Sequence, residues 1–247
     1  MKKENVVLAK KSKWYFELNG VKYVDISSRS TKILKDMAPD QLGPCVASDG
    51  IEFQNLENLW QYSKVFEGVQ RVDKEKYFFY VKNGVPTQEY YDFRNEGAAL
   101  ESADKKLAGV ISKNSYKFFF KEGDEVKLLD EIEARKKIYI PGYAKLVVKT
   151  EGFKKLKKLV DDGQQVVLYG EGIFDYTDKD VLRNLYSELQ KKYDNLYFDD
   201  VEVLESVKDL INFPYYPLGY GVILKALLEE DLEIVDGKIV DHAGLLD

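Results

Sequence analysis

Three polar side chains in the segment NLENLWQYSKVF (55–66) have the chemistry that an acid–base site needs. Glu57, Gln61 and Lys64 follow one another at i, i+4 and i+7, which lines up a carboxylate, an amide and an amine on one face of a helix. A carboxylate can stabilise a cation or activate water, and an amine can hold an anion or donate a proton. A solvated helix face with mild i,i+4 and i,i+3 support has the same pattern, so the residues alone leave both interpretations open.

The sequence offers few of the residues and motifs that several other kinds of chemistry require. The chain has one histidine, His242, and one cysteine, Cys45, so an intramolecular disulfide is impossible, and the residues for a Ser-His-Asp or Cys-His triad or a tetrahedral zinc site are scarce. No P-loop, Rossmann fingerprint, nucleophile elbow or HExxH motif occurs. We therefore expect no metal and no cofactor, and acids and bases that are carboxylates, lysines or tyrosines.

Composition sets the class of protein. Of 247 residues, 45% are hydrophobic and 32% are charged, which supplies both a core and a polar surface. The net charge of −6 makes general binding to duplex DNA unlikely, because phosphate neutralisation dominates that affinity. The apolar run VVLA near the N-terminus is too short for a signal peptide or a membrane span. We expect a cytoplasmic protein with no membrane segment.

Local patterns predict mixed helices, short strands and β-hairpins. Hairpins are expected over 14–26 with a turn at Asn19-Gly20, over 77–93 with a turn at Asn83-Gly84, and at Asp236-Gly237 in the tail. The segment 55–67 is predicted to be helical. The remaining predicted elements are a strand at 164–170 and helices at 126–140, 151–162 with Gly163 as C-cap, 178–191 with Thr177 as N-cap, 202–210 and 219–229.

The order of these elements indicates an α+β fold. There is no internal repeat, low-complexity tract or Pro/Gly/Ser linker, so we expect a single domain over 1–247. The charged segment 94–125, which carries several glycines, is interpreted as an insertion within that domain.

The helix motif and the loop before it resemble the NADAR/YbiA-like superfamily of N-glycosidases. The resemblance rests on Gly50 in SDGIEF (48–53), followed by the pattern E-x-x-x-Q-x-x-K at Glu57, Gln61 and Lys64. Other segments resemble an uncharacterised group distantly akin to NADAR. These are VDISSRS (24–30), DMAPDQLGP (36–44), EARKKIYIPGYAKL (133–146) and PLGYGVILKALLE (217–229).

This resemblance implies a YbiA-like fold and hydrolysis of an ADP-ribose conjugate or another N-ribosyl nucleotide derivative. Glu57 would stabilise a ribosyl cation or activate water, Gln61 would orient the sugar, and Lys64 would hold a phosphate or the leaving group. Glu171 and Asp175, which follow a predicted strand, would add a second carboxylate. Arg29 would bind a phosphate, and the aromatic side chains that would stack on a base, or else pack in the core, are Trp60, Tyr215, Tyr216 and Tyr220.

A second class of function stays open beside this one. The closing motif of the related group often has a histidine where Tyr220 stands, and the tryptophan-glycine element of NADAR proteins is not evident near Glu171 and Asp175. These departures favour a non-catalytic nucleotide-binding or protein-interaction module on the same fold, with a protein partner possible. The retained Gly50 and the helix motif favour the hydrolase.

Overall fold

The computed structural model describes residues 6–10, 22–25, 35–70, 77–103, 116–170, 179–192, 206–215 and 217–247. Helices and short strands alternate along these residues, which confirms the α+β prediction. The chain forms two compact units, one from Met1–Ala38 with Val147–Asp247 and the other from Pro39–Leu146. The single domain over 1–247 and the insertion at 94–125 stay predictions.

A parallel sheet of three strands forms the centre of the first unit. Strand β12 (Val166–Gly170) lies between β1 (Val6–Lys10) and β2 (Lys22–Asp25) and is parallel to both. Its apolar, β-branched sequence fits this central position, and Val166 and Leu168 are fully buried. The predicted strand at 164–170 is confirmed. The Asn19-Gly20 turn lies outside the described residues.

Helices of this unit follow the predicted periodicity. Helix α5 (Glu151–Asp161) begins where the hydroxyl of Thr150 accepts the backbone N–H of Phe153 at 3.1 Å, and Gly163 follows it with φ +76°, a conformation that favours glycine. The other helices in the described residues of this unit are a 3-10 helix (Lys35–Met37), α6 (Lys179–Lys192), α7 (Val207–Asn212) and α8 (Tyr220–Leu228). Predictions for α5, α6 and α8 are confirmed within one residue. The predicted helix at 202–210 is shifted towards the C-terminus, while Thr177 and 202–205 lie outside the described residues.

In its described residues, the second unit is built on short antiparallel strands and three helical segments. Strands β3 (Cys45–Val46) and β4 (Glu52–Phe53) pair with each other, and helix α1 (Leu56–Tyr62) follows them. Strand β5 (Lys64–Phe66) pairs with β10 (Tyr116–Glu122), which pairs in turn with β11 (Glu125–Leu129). The other short strands are β6 (Gly68–Gln70), β7 (Tyr77–Phe79), β8 (Val81–Lys82) and β9 (Val85–Pro86).

The helices of the second unit correct two predictions. The second strand predicted for 77–93 ends at Pro86, and helix α2 (Gln88–Ala99) follows it. Tyr90, Phe93 and Gly97 recur at a helical period on the buried face of this helix. Residues 125–129 are strand β11 and not the start of a helix, because a turn at Gly123 with φ +61° pairs them with β10. The helical run follows as α3 (Glu131–Ala134), a π-helix (Arg135–Tyr139) and α4 (Ile140–Val147).

Two predicted hairpin turns are confirmed. Asn83 and Gly84 both have positive φ between β8 and β9, and Asp236 and Gly237 do so between β13 (Leu232–Val235) and β14 (Lys238–Asp241). Asn-Gly and Asp-Gly tolerate this geometry well, which is why these turns were readable from sequence. In the described part of the chain, no helix has the length and apolar character needed to cross a membrane.

Candidate functional site

Helix α1, which carries the predicted motif, is fixed at its start by buried asparagines. The side chain of Asn55 accepts the backbone N–H of Asn58 at 2.8 Å and donates to the carbonyl of Glu101 at 2.9 Å. The amide of Asn58 donates to the carbonyls of Gly97 and Leu100, at 3.3 and 2.6 Å. These bonds join α1 to the end of α2 and hold its exposed face in a defined orientation.

The end of α1 is fixed by a buried ion pair. The guanidinium of Arg94, which is 1% exposed, contacts both carboxylate oxygens of Asp49 at 3.0 and 3.1 Å and donates to the hydroxyl of Ser63 at 3.0 Å. It also donates to the carbonyl of Tyr62 at 3.3 Å. A two-oxygen contact of this kind fixes geometry closely, so the junction of α1 and β5 is rigidly held.

Gly50 belongs to this supporting structure. It has φ +87° in the turn between β3 and β4, where its N–H donates to the carbonyl of Ala47 at 3.0 Å. The turn places Asp49 in contact with Arg94. This turn geometry explains the glycine at position 50 without any contact to a substrate. The predicted substrate-binding role of Gly50 stays a prediction.

The three predicted polar residues form one hydrogen-bonded line. Gln61 Nε2 donates to Glu57 Oε1 at 2.5 Å, and Lys64 Nζ donates to Gln61 Oε1 at 2.8 Å. The prediction that all three lie on one helix is wrong, because α1 ends at Tyr62 and Lys64 begins β5. Leu59 and Phe66 are buried in the core.

The amine of Lys64 is enclosed by aromatic rings. It lies 5.0 Å from the ring centre of Tyr116, 5.8 Å from that of Trp60 and 5.9 Å from that of Phe118. The sheet explains this arrangement, since Lys64 stands opposite Phe118 in the register of β5 and β10, and Tyr116 lies two residues along on the same face. We call these residues, with Glu57 and Gln61, the Lys64 site.

Burial changes the acidity of Lys64. Its side chain is 5% exposed, and loss of solvent lowers its pKa from an ordinary 10.5 to about 8, although the nearby charges of Glu131 and Glu57 oppose the fall. Near neutral pH the group is therefore an ammonium that loses its proton far more readily than a lysine in water. A proton donor or acceptor works best when its pKa lies near the working pH.

A second buried lysine shows how a purely structural lysine is satisfied. Lys225 is 2% exposed, and its ammonium donates to the carbonyl of Val6 at 2.6 Å and to the carboxylate of Glu229 at 2.9 Å. Lys64 contacts ring faces and one neutral amide oxygen among the described residues. Among the described residues, the hydrogen-bond acceptor of Lys64 is therefore a neutral amide oxygen, whereas Lys225 has a carboxylate and a backbone carbonyl.

Trp60 is half-buried on α1 and packs against other rings of the protein. Its ring centre is 4.3 Å from that of Phe118 and 5.0 Å from that of Tyr139. These contacts support the core interpretation of Trp60. Its predicted contact with a substrate stays a prediction.

The other predicted site residues belong to the first unit. Arg29, Glu171, Asp175 and Tyr216 lie outside the described residues, while Tyr220 is half-buried at the first position of α8 and Tyr215 is 39% exposed. The strands before Arg29 and Glu171 are neighbours in the parallel sheet, and Tyr169 stands opposite Asp25 near their carboxyl ends. Carboxyl ends of parallel strands are a common place for binding residues. The roles predicted for these residues stay predictions.

Sequence reasoning missed part of the Lys64 site. Tyr116 and Phe118 were not singled out, although their alternation in YKFFF shows that both face the same side of a strand. Glu131 and Arg135 were missed because 126–140 was interpreted as one helix.

No group of three or more histidine, cysteine, aspartate or glutamate residues is placed to hold a metal within the described ranges. No protein-family model matches the chain, and neither curated proteins nor solved structures give a match. The resemblance to NADAR/YbiA-like proteins stays a prediction made from the sequence motif.

Proposed function

We propose that the Lys64 site belongs to an N-glycosidase-type hydrolase that acts on an ADP-ribose conjugate or another N-ribosyl nucleotide derivative. The observation that carries the proposal is the hydrogen-bonded line from the carboxylate of Glu57 through Gln61 to a buried amine with a lowered pKa. A carboxylate and a readily deprotonated ammonium are the two groups that cleavage of an N-ribosyl bond requires.

The reaction divides between these two groups. As the bond from C1′ to the base nitrogen breaks, its electron pair goes to the base, and the ammonium of Lys64 supplies the proton that neutralises the leaving base. The carboxylate of Glu57 stabilises the ribosyl cation and takes a proton from the water that adds to C1′. Gln61 is hydrogen-bonded to both side chains, so it orients the sugar and holds the carboxylate and the amine at a fixed spacing.

The remaining predicted residues belong to the first unit, whereas the Lys64 site is built from residues of the second. The resemblance implies that Arg29 binds a phosphate, that Glu171 or Asp175 supplies a carboxylate and that Tyr220 stacks on a base, and these roles stay predictions. Trp60 forms the wall against which the base or ribose rests. The partner is a small-molecule nucleotide or an ADP-ribosylated substrate.

The burial of Lys64 favours one alternative. A side chain that is 5% exposed is poorly accessible to substrate, which fits a non-catalytic nucleotide-binding or protein-interaction module. In that case the aromatic rings and Lys64 would be a core feature, and any ligand would bind elsewhere on the chain.

A screen of candidate ligands separates the two functions. Purified protein is incubated with ADP-ribose conjugates, NAD and ribosyl-pyrimidine phosphates, and released base is measured by chromatography while binding is measured by calorimetry. The hydrolase proposal expects base release from at least one N-ribosyl compound. Binding without release would favour the binding module. If the protein neither bound nor hydrolysed any of these compounds, that result would contradict both nucleotide proposals.

A further inference from the structure

Of the rings in the described residues, that of Tyr116 lies closest to the Lys64 amine, and its hydroxyl is held by a carboxylate from another element. Tyr116 Oη donates to Glu131 Oε2 at 3.4 Å, and Glu131 lies in the first turn of α3. Because Tyr116 lies on strand β10, the contact joins the strand that supplies two rings of the site to the helix that follows the hairpin. The position of the ring above Lys64 is therefore tied to Glu131.

Arg135 holds Glu131 from the other side. Its Nη2 lies 3.4 Å from Glu131 Oε1, and its side chain is fully buried, whereas that of Glu131 is 26% exposed. Arg135 begins the π-helix, in which the N–H of Ile140 donates to the carbonyl of Arg135. Such segments often occur at functional sites, and this one ends at Tyr139, whose ring packs on Trp60.

We propose that Glu131 is a positioning residue for Lys64. Glu131 fixes the Tyr116 ring over the amine and keeps a negative charge beside it, and Arg135 holds Glu131 in place. This inference rests on the proposed function, because it assigns Glu131 to the proton chemistry of the same site.

The charges around Lys64 support this role. The two carboxylates that favour its ammonium form are Glu131, on α3, and Glu57, on α1, and the contribution of Glu131 is the larger. Tyr116 on β10 is the titratable side chain that faces the amine from the sheet. The charge of Glu131 therefore opposes the lowering of the Lys64 pKa by burial, and it favours the ammonium form near neutral pH.

Substitution of Glu131 by glutamine tests the proposal on the intact chain. Glu131→Gln keeps the size and a hydrogen-bond acceptor but removes the charge, so the titration midpoint of Lys64 should fall by about one pKa unit, the lower end of what a neighbouring charge produces. The midpoint is measured by NMR titration of protein labelled with ¹³C at lysine Cε, with the Lys64 signal assigned from its loss in Lys64→Met. Any hydrolysis that depends on the Lys64 ammonium should then decline at a correspondingly lower pH.

A matched control removes an equal charge elsewhere in the same unit. Glu125→Gln, on the exposed part of β11, should leave the Lys64 midpoint unchanged. If Glu131→Gln fails to fold, Glu131→Asp replaces it, because a carboxylate drawn back by one methylene should also lower the midpoint, by a smaller amount. An unchanged midpoint in the folded Glu131 variant would overturn the inference. Because the titration needs no substrate, a shifted midpoint without hydrolysis would contradict the proposed function and leave the role of Glu131 standing.

Discussion

Lys64 is the central residue of the proposed chemistry. Its amine is enclosed by Trp60, Tyr116 and Phe118, and burial lowers its pKa to about 8 although the charges of Glu131 and Glu57 oppose the fall. Proteins keep an energetically costly buried charge where function requires it, so stability and function should conflict at this position. The same residue could be predicted as part of a site because its spacing from Glu57 and Gln61 is visible in the sequence.

The stability cost of Lys64 should depend on pH in a defined direction. The folded-state pKa of Lys64, about 8, lies below the ordinary 10.5. At pH 7 the folded protein therefore bears the full free-energy cost of burying the ammonium, and this cost is relieved as pH rises from about 8 to 10.5. Lys64→Met should therefore increase the free energy of unfolding at pH 7 by about 1 to 3 kcal/mol, and this advantage should shrink by pH 10. Urea unfolding of both proteins at the two pH values measures it. A variant less stable than wild type at pH 7 would show that Lys64 stabilises the fold.

At the scale of elements, the site depends on the junction where α1 ends and β5 begins. The sequence predicts α1, because Leu59 and Trp60 fall on one side of a helical wheel while Glu57 and Gln61 line up along another. It does not predict the change at Ser63, because Phe66 also fits the apolar side of a helical wheel. What decides the conformation of 64–66 is pairing with β10, a strand 50 residues farther along the chain. Such long-range pairing is invisible to local patterns.

The contact of α1 with α2 should be sensitive to a single methyl group. A Cβ at Gly97 would lie 2.0 Å from the ring of Tyr62, so Gly97→Ala forces the two helices apart. We expect a loss of about 1 to 3 kcal/mol in the free energy of unfolding, the usual cost of overpacking. Asn95→Ala, at an exposed position of the same helix, should change stability by less than about 0.5 kcal/mol. Chemical denaturation compares the two, and equal stability of Gly97→Ala and wild type would contradict the close packing of α1 on α2.

At the scale of the whole molecule, composition was informative about class but not about arrangement. The balance of apolar and charged residues predicts a folded protein, and the order of the predicted elements indicates an α+β fold, which the helices and short strands confirm. The parallel pairing of β1, β12 and β2 was not predicted, because strands from distant parts of the chain meet only in three dimensions.

Stability should be independent of thiol oxidation and of metal. Cys45 is buried, and its pKa is raised to about 12 by burial and by the charge of Glu52, which leaves almost no reactive thiolate at neutral pH. The melting temperature should therefore be the same, within about 2 °C, in buffer, in strong reductant and in chelator. This is the behaviour expected of a fold that has no disulfide to reduce and no metal to remove. Thermal scanning checks this. A large decrease with chelator would reveal a metal held by carboxylates.

Glu57 provides the most direct test of the proposed hydrolase. Glu57→Gln keeps size and hydrogen-bonding capacity but removes the charge that stabilises the ribosyl cation, so hydrolysis should be abolished while binding stays within about tenfold, or about 1.4 kcal/mol. Glu89→Gln, which removes a carboxylate from the first turn of α2, should retain full activity. Steady-state hydrolysis and calorimetric binding of the N-ribosyl compound selected by the ligand screen provide the measurement. Loss of turnover with retained binding in Glu57→Gln alone is the predicted result, and turnover at the wild-type rate would contradict the assignment of Glu57 as the catalytic carboxylate.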